Sequence, residues 1–126
     1  MGETNARGTV LLVEDDALVR LDGADLLEEA GYHVIEATSA DAALDVLEAD
    51  PRAIDVLVTD VHMPGSMDGC ALARVVDRRW PWIRLVVTSA NAKLSDRDVP
   101  DHGRFVAKPW MTGAVLRAID RAGRLA

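Results

Sequence analysis

Four short pieces of this chain have the residue types for joint chemistry: Glu14-Asp15-Asp16, Asp60, Thr88-Ser89-Ala90 and Lys108-Pro109. Adjacent carboxylates repel one another, and holding them together costs stability unless a cation neutralises them. Glu14 and Asp15, with Asp60 nearby, would form an oxygen-only site suited to Mg²⁺, which takes few carboxylates and completes its shell with water and phosphate oxygens. Beside such a cation, the carboxylate of Asp60 can attack phosphorus as a nucleophile. Ser89, or Thr88, can bond one phosphoryl oxygen, and Lys108 can pair with another as a point charge. Pro109 biases Lys108 toward extended backbone, which helps to aim it. Each piece read alone also has a plainer meaning. The acidic run can be a solvated turn that caps the next helix, Asp60 a turn residue, and the hydroxyls ordinary strand-end residues. Order and spacing carry the signal.

Each piece lies at the end of an apolar run that reads as a β-strand: Val10 to Val13, Ile54 to Thr59, Ile83 to Thr88, and Phe105 to Ala107. Polar groups at the carboxyl ends of parallel strands converge on one crevice. Helical patterns alternate with these strands and with a further one, His33 to Ala37, which argues for a doubly wound α/β sheet. In the first helix Val19, Gly23, Leu26, Leu27 and Ala30 share a face, and Gly31 ends it. Ser39 reads as the N-cap of a second helix with Ala43, Leu44 and Leu47 inward and Pro51 past its end. A third helix is expected over Cys70 to Trp80, stopping before Pro81. The stretch from Asn91 to Gly103 contains Pro100 and little apolar periodicity, so it predicts at most a short or irregular fourth helix. The last helix is expected from Trp110 to about Gly123, with Val115, Leu116 and Ile119 facing inward.

The 126 residues fit one domain, 1–126, with 1–8 as a polar extension, and can bury a real core. Apolar residues make up 49% and charged residues 28%, an ordinary soluble balance. No apolar run approaches the ~20 residues of a membrane helix, and the start lacks a signal-peptide stretch, so a cytoplasmic location is expected. A net charge of −7 argues against non-specific nucleic-acid binding. The single cysteine, Cys70, reads as a small apolar residue near a helix start. Lys93 and Lys108 are the only lysines among 14 basic residues, which makes a lysine at a strand end easier to notice.

With its "LLVEDD" opening, "VLVTDVHMPGSMDG", "LVVTSAN" and "FVAKPW", the chain resembles the receiver domains of bacterial two-component response regulators, the CheY-like family, from Val10 to about Ala122. The resemblance implies a flavodoxin-like parallel sheet of order 2-1-3-4-5 with helices on both faces. It implies a phosphoacceptor that takes a phosphoryl group from a histidine kinase or phosphotransfer protein with Mg²⁺ present, and that catalyses only its own phosphorylation and dephosphorylation. Carried over by position, Asp60 is the phosphoacceptor, Asp15 a direct metal ligand, Glu14 a ligand through water, and the backbone carbonyl of His62 a further ligand. Ser89 is the switch hydroxyl, with Thr88 as competitor, Lys108 the phosphate-pairing lysine, and Phe105 the aromatic that moves with the hydroxyl. His62 and Asn91 are expected to tune attack by water, and His62 can equally be a plain loop residue. A downstream target protein is implied, with the receiver a monomer or weak dimer. Alternatives are a constitutive binding module, a phosphate sink, or a receiver piece of a hybrid kinase. The loop after Pro64 is one residue longer than the family pattern, and Trp110 stands where phenylalanine is usual.

Overall fold

The protein, seen in a computed structural model, is described over residues 7–63, 65, 67–89, 104–107 and 112–121. Five strands, β1 (Thr9–Val13), β2 (His33–Ala37), β3 (Val56–Asp60), β4 (Arg84–Ser89) and β5 (Arg104–Ala107), form one sheet in the order β2-β1-β3-β4-β5. Every pairing is parallel. Among the described residues four helices accompany them: α1 (Ala17–Glu29), α2 (Ala40–Ala49), α3 (Gly69–Arg79) and α4 (Thr112–Arg121). The expected doubly wound sheet and its strand order are both present.

Alternation along the strands explains the two-sided core. Leu11, Val13, Leu57, Leu85 and Val87 pack with Ala43 and Leu47 of α2 and Leu72, Ala73 and Val76 of α3. Val10, Leu12, Val56, Val58 and Val86 pack on the other face with Ala24 and Leu27 of α1 and Ile119 of α4. Because side chains alternate along a strand, a strand covered on both faces must be apolar throughout. Hence Val10 to Val13 are all fully buried.

Several boundaries move by a residue or two. Ile54 follows a 3₁₀ turn, Pro51–Ala53, so β3 begins at Val56, and its pairing with β4 carries it through Asp60. Pairing of Ser89 with Ala107 of β5 likewise makes Ser89 the last residue of β4. The third helix begins at Gly69 because Asp68 caps it, its Oδ1 accepting from the Ala71 N–H at 2.8 Å. Ser39 caps α2 as expected, accepting from the Ala42 N–H at 3.1 Å. On α1 the inward residues are Gly23, Ala24 and Leu27, with Val19, Leu26 and Ala30 only partly covered. The Gly8 carbonyl accepts from the His33 N–H at 2.9 Å, and β1 starts at Thr9. No helix among the described residues is long and apolar enough to cross a membrane. Residues 1–6, Asn91, Pro100 and the rest of 91–103, and Lys108, Pro109 and Trp110 lie outside the described residues.

Candidate functional site

The ladders themselves deliver the acids to one place. Val13 of β1 pairs with Thr59 of β3, and Asp60 pairs with Thr88 of β4. Glu14 and Asp60 are therefore each one residue beyond the β1–β3 pair Val13–Thr59, at the carboxyl edge of the sheet. The Glu14 N–H continues the β1–β2 ladder by donating to the Ala37 carbonyl at 3.0 Å. One carboxylate oxygen each from Glu14, Asp15 and Asp60 lies within 4.8 Å of the others. Glu14 is 1% exposed and Asp60 7%, whereas Asp15 is open to solvent.

Such crowding of three carboxylates, two of them buried, is electrostatically unfavourable without a compensating cation. The donor set is hard and contains only oxygen, and the open Asp15 leaves a side accessible to water, so the residues fit Mg²⁺. Glu14, Asp15 and Asp60 are the side chains that would hold it.

The third acid of the run has a different task. Asp16 is the N-cap of α1, its Oδ1 accepting from the N–H groups of Leu18 at 3.0 Å and Val19 at 3.2 Å. The plainer reading of the acidic run, a helix cap, thus holds for Asp16. The cap also anchors the loop, because the Asp16 N–H donates to Glu14 Oε2 at 3.1 Å.

Two supporting residues escaped the sequence reading. Arg20 donates through its NH1 to the Glu14 carbonyl at 3.0 Å and through Nε to Glu36 Oε1 of β2 at 3.0 Å. One guanidinium thereby ties the acidic loop to the neighbouring strand. An arginine one turn into a helix that follows an acidic run was the only sequence signal. Arg20→Ala is expected to weaken Mg²⁺ binding several-fold and to cost about 1–2 kcal/mol of stability, checked by calorimetric titration with Mg²⁺ and by urea unfolding.

Gly69 is the second. Its N–H donates to the Val61 carbonyl at 2.9 Å, while Val61 N–H donates to the Thr88 carbonyl at 3.0 Å, so the loop after Asp60 closes tightly on the sheet. A Cβ at Gly69 would stand 1.9 Å from the Asp60 carbonyl oxygen and 2.7 Å from its carbon. The first residue of α3 therefore has to be glycine for the backbone of Asp60 to lie where it does. Thr59 supports the same carbonyl, its hydroxyl donating to the Asp60 oxygen at 3.0 Å.

Thr88 and Ser89 are both fully buried. The Thr88 hydroxyl makes a long bond, 3.5 Å, to the Thr59 carbonyl, which commits it to the sheet. His62 is exposed, two residues beyond Asp60. Cys70 is half-buried on α3 and packs against the core, as expected. Phe105 is placed as the second residue of β5 by its backbone alone. Lys108 and Asn91 lie outside the described residues. The structure thus brings together Glu14, Asp15 and Asp60, with Thr88 beside Asp60 in register.

Residues 10–120 match the response regulator receiver domain family. Over 111 residues the chain is 36% identical to the sensor kinase CckA of Brucella abortus (strain 2308), covering 86% of this chain and 12% of that kinase. It is 30% identical over 115 residues to the response regulator receiver protein CpdR of the same organism, covering 89% of this chain and 93% of CpdR. The chain therefore spans a small part of one relative and nearly all of the other. Among solved structures, a response regulator receiver protein from Sinorhizobium medicae WSM419 superposes with a TM-score of 0.82 at 31% identity, covering 91% of this chain and 93% of that one.

Proposed function

This chain belongs to the response regulator receiver domain family, and we propose that it accepts a phosphoryl group from a phosphohistidine donor onto Asp60, with Mg²⁺ bound, as one receiver unit in cytoplasmic two-component signalling. The observation that carries the reading is the gathering of Glu14, Asp15 and Asp60 within 4.8 Å at the carboxyl ends of β1 and β3. A divalent cation bound there supplies charge neutralisation for the acids and for an incoming phosphoryl oxygen.

The chain's own residues do the rest. An Asp60 carboxylate oxygen attacks phosphorus in line; the new O–P bond forms as the N–P bond of the donor breaks, and the imidazole leaves and takes up a proton. Catalysis is positioning and charge compensation, with little acid–base chemistry. Asp60 is held ready by the Thr59 hydroxyl at its carbonyl and by the close approach of Gly69. Ser89 donates to one phosphoryl oxygen and Lys108 pairs with another. Lys108 follows Ala107 in sequence, and Ala107 is the register partner of Ser89, which supports that pairing of roles. The backbone carbonyl of His62 would complete the protein's share of the metal shell, and the His62 and Asn91 side chains would tune attack by water. Phosphorylation adds about −1.5 to −2 charge and three acceptor oxygens, which biases a two-state surface involving Ser89, Phe105 and α4 toward a target protein.

The donor protein has a surface to meet beside the site. α1 starts at the Asp16 cap and exposes Leu18 by 76% and Leu21 by 52%, three residues apart on one helical face. Exposed leucines next to an acidic site suit the docking of an apolar helical donor. Leu18→Arg combined with Leu21→Arg is expected to slow transfer at least tenfold from any phosphotransfer protein that phosphorylates the parent. Acceptance from a small phosphodonor should be unchanged, and a loss with both donors would refute the docking role.

The function is tested by intact-mass analysis after incubation with Mg²⁺ and a small phosphodonor. One phosphoryl adduct that requires Mg²⁺ is expected. Its decay rate separates a switch, which must live long enough to find its target, from a sink, which discharges quickly. No adduct would leave a constitutive binding module as the better reading.

A further inference from the structure

The opposite end of the sheet from the three acids holds a cavity of about 410 Å³. Its lining comes from the amino ends of the strands and the turns before them: Arg7, Gly8, Tyr32, Asp55, Trp82 and Arg84 among others. That volume lies within the range of small-molecule sites, ~300–1,000 Å³.

The lining is built rather than accidental. Asp55 Oδ2 accepts from the Thr9 N–H at 2.8 Å, while the Asp55 N–H donates to the Thr9 carbonyl at 2.9 Å, so the carboxylate is locked against β1. Gly8 has φ +104°, and a Cβ there would meet Asp55 Oδ2 at 2.6 Å. Only glycine leaves room for the carboxylate in that place. The Arg84 guanidinium is oriented by donating to the Ile119 carbonyl at 3.2 Å, and the Arg7 guanidinium sits over the Tyr32 ring at 5.8 Å. Trp82 lines the cavity yet remains 48% exposed, one of few large apolar side chains left open to solvent among the described residues.

We propose that this cavity binds a purine nucleoside phosphate, a second ligand site at the pole opposite the phosphoacceptor. Two guanidiniums match the planar, bidentate demand of a phosphate. The half-open indole, with the Arg52 guanidinium over its ring at 5.9 Å, offers its remaining face for a base to stack on. The Asp55 carboxylate, an acceptor only, suits paired N–H donors such as those on the edge of guanine. The charges of the lining side chains Arg7, Arg84 and Asp55 leave one net positive charge, so binding depends on this local pair of arginines against a chain of net charge −7. Because the carboxylate is already fixed by Thr9, little ordering is needed on binding.

The test is a titration of the ¹⁵N-labelled chain with GMP in EDTA, which removes metal-assisted phosphate binding at the three acids. Saturable shifts are expected at Gly8, Asp55 and the Trp82 indole N–H, with a Kd of about 1 mM or tighter. Arg7→Ala and Trp82→Ala, both at exposed positions, should each weaken binding about tenfold while the remaining spectrum stays that of the folded parent. Inorganic phosphate should bind the same residues at least tenfold more weakly than GMP. Equal affinity for phosphate would mean a plain anion site and would overturn the nucleotide assignment. Shifts centred on Glu14 and Asp60, absence of saturation, or full retention of binding in Trp82→Ala would overturn it too.

Discussion

Replacing Gly69 with alanine is expected to slow phosphoryl acceptance roughly 10–100-fold and to destabilise the fold by about 3 kcal/mol. The added methyl would lie 1.9 Å from the Asp60 carbonyl oxygen, well inside contact distance; the methyl is fixed by its own Cα and its partner is backbone. Neither can rotate away. The start of α3 or the end of β3 must shift, and the Thr59 hydroxyl bond to the same carbonyl would be strained with it. A displacement of about 1 Å at a nucleophile can cost two orders of magnitude in rate, because in-line attack depends on direction as much as on distance. Gly65→Ala is the control on the same loop. Gly65 has φ +118°, so alanine there is strained by about 1–2 kcal/mol, but its Cβ would meet only Asp41 Oδ2, at 3.4 Å. Both variants should be assayed with a small phosphodonor at a temperature where circular dichroism shows each folded. A Gly69→Ala protein that is folded and accepts phosphate at the parent rate would remove Gly69 from the positioning of Asp60.

Asp60→Asn should abolish the phosphoryl adduct altogether. An amide has no carboxylate lone pair to form the acyl phosphate, and the two other acids nearby are poor substitutes. Glu14 is buried, its Oε2 engaged by the Asp16 N–H, and Asp15 stands at the open side of the cluster. The substitution nearly preserves volume, so the fold is expected to remain. A second readout follows from linkage. A ligand that binds only the folded state stabilises it by about 2.7 kcal/mol at a concentration 100 times its Kd, so Mg²⁺ should raise the Tm of the parent. That rise should shrink in Asp60→Asn and in Asp15→Asn, because each removes one of three clustered carboxylates. Asp16→Asn, by contrast, should keep both the adduct and the Mg²⁺ effect, since asparagine also caps a helix well. An adduct persisting in Asp60→Asn would place the acceptor elsewhere.

Most strands were legible because burial on both faces writes itself as unbroken apolar runs, and their order was what the family resemblance implied. Val10 to Val13 could hardly be anything else in a chain of alternating strands and helices. The helix caps at Ser39 and Gly31 were legible for a local reason, since a cap depends on its own few residues. Boundaries were less so. Ile54 is as apolar as a strand residue, but Pro51 starts a 3₁₀ turn just ahead of it, and pairing with β4 then extends β3 to Asp60. On α1 the expected stripe is present but ranked by packing, with Gly23 and Leu27 buried, Leu26 and Ala30 only partly covered against the core, and Ala24 added to it. Periodicity gives the angle between residues, and the packing partner sets which angle faces inward.

The sequence by itself determined the residue types, their strand-end placement and hence the chemistry available to this chain. Those depend on local propensity and on a two-residue period, both properties of short segments. Only the tertiary structure decided which acid of Glu14-Asp15-Asp16 is spent on capping, that Arg20 ties Glu14 to Glu36, and that Gly69 must lack a side chain. It alone assembled Asp55, Arg7, Arg84 and Trp82 around one cavity. The Arg20–Glu36 tie and the cavity are distances between residues far apart in the chain, and such distances exist only once the ladders have set the register.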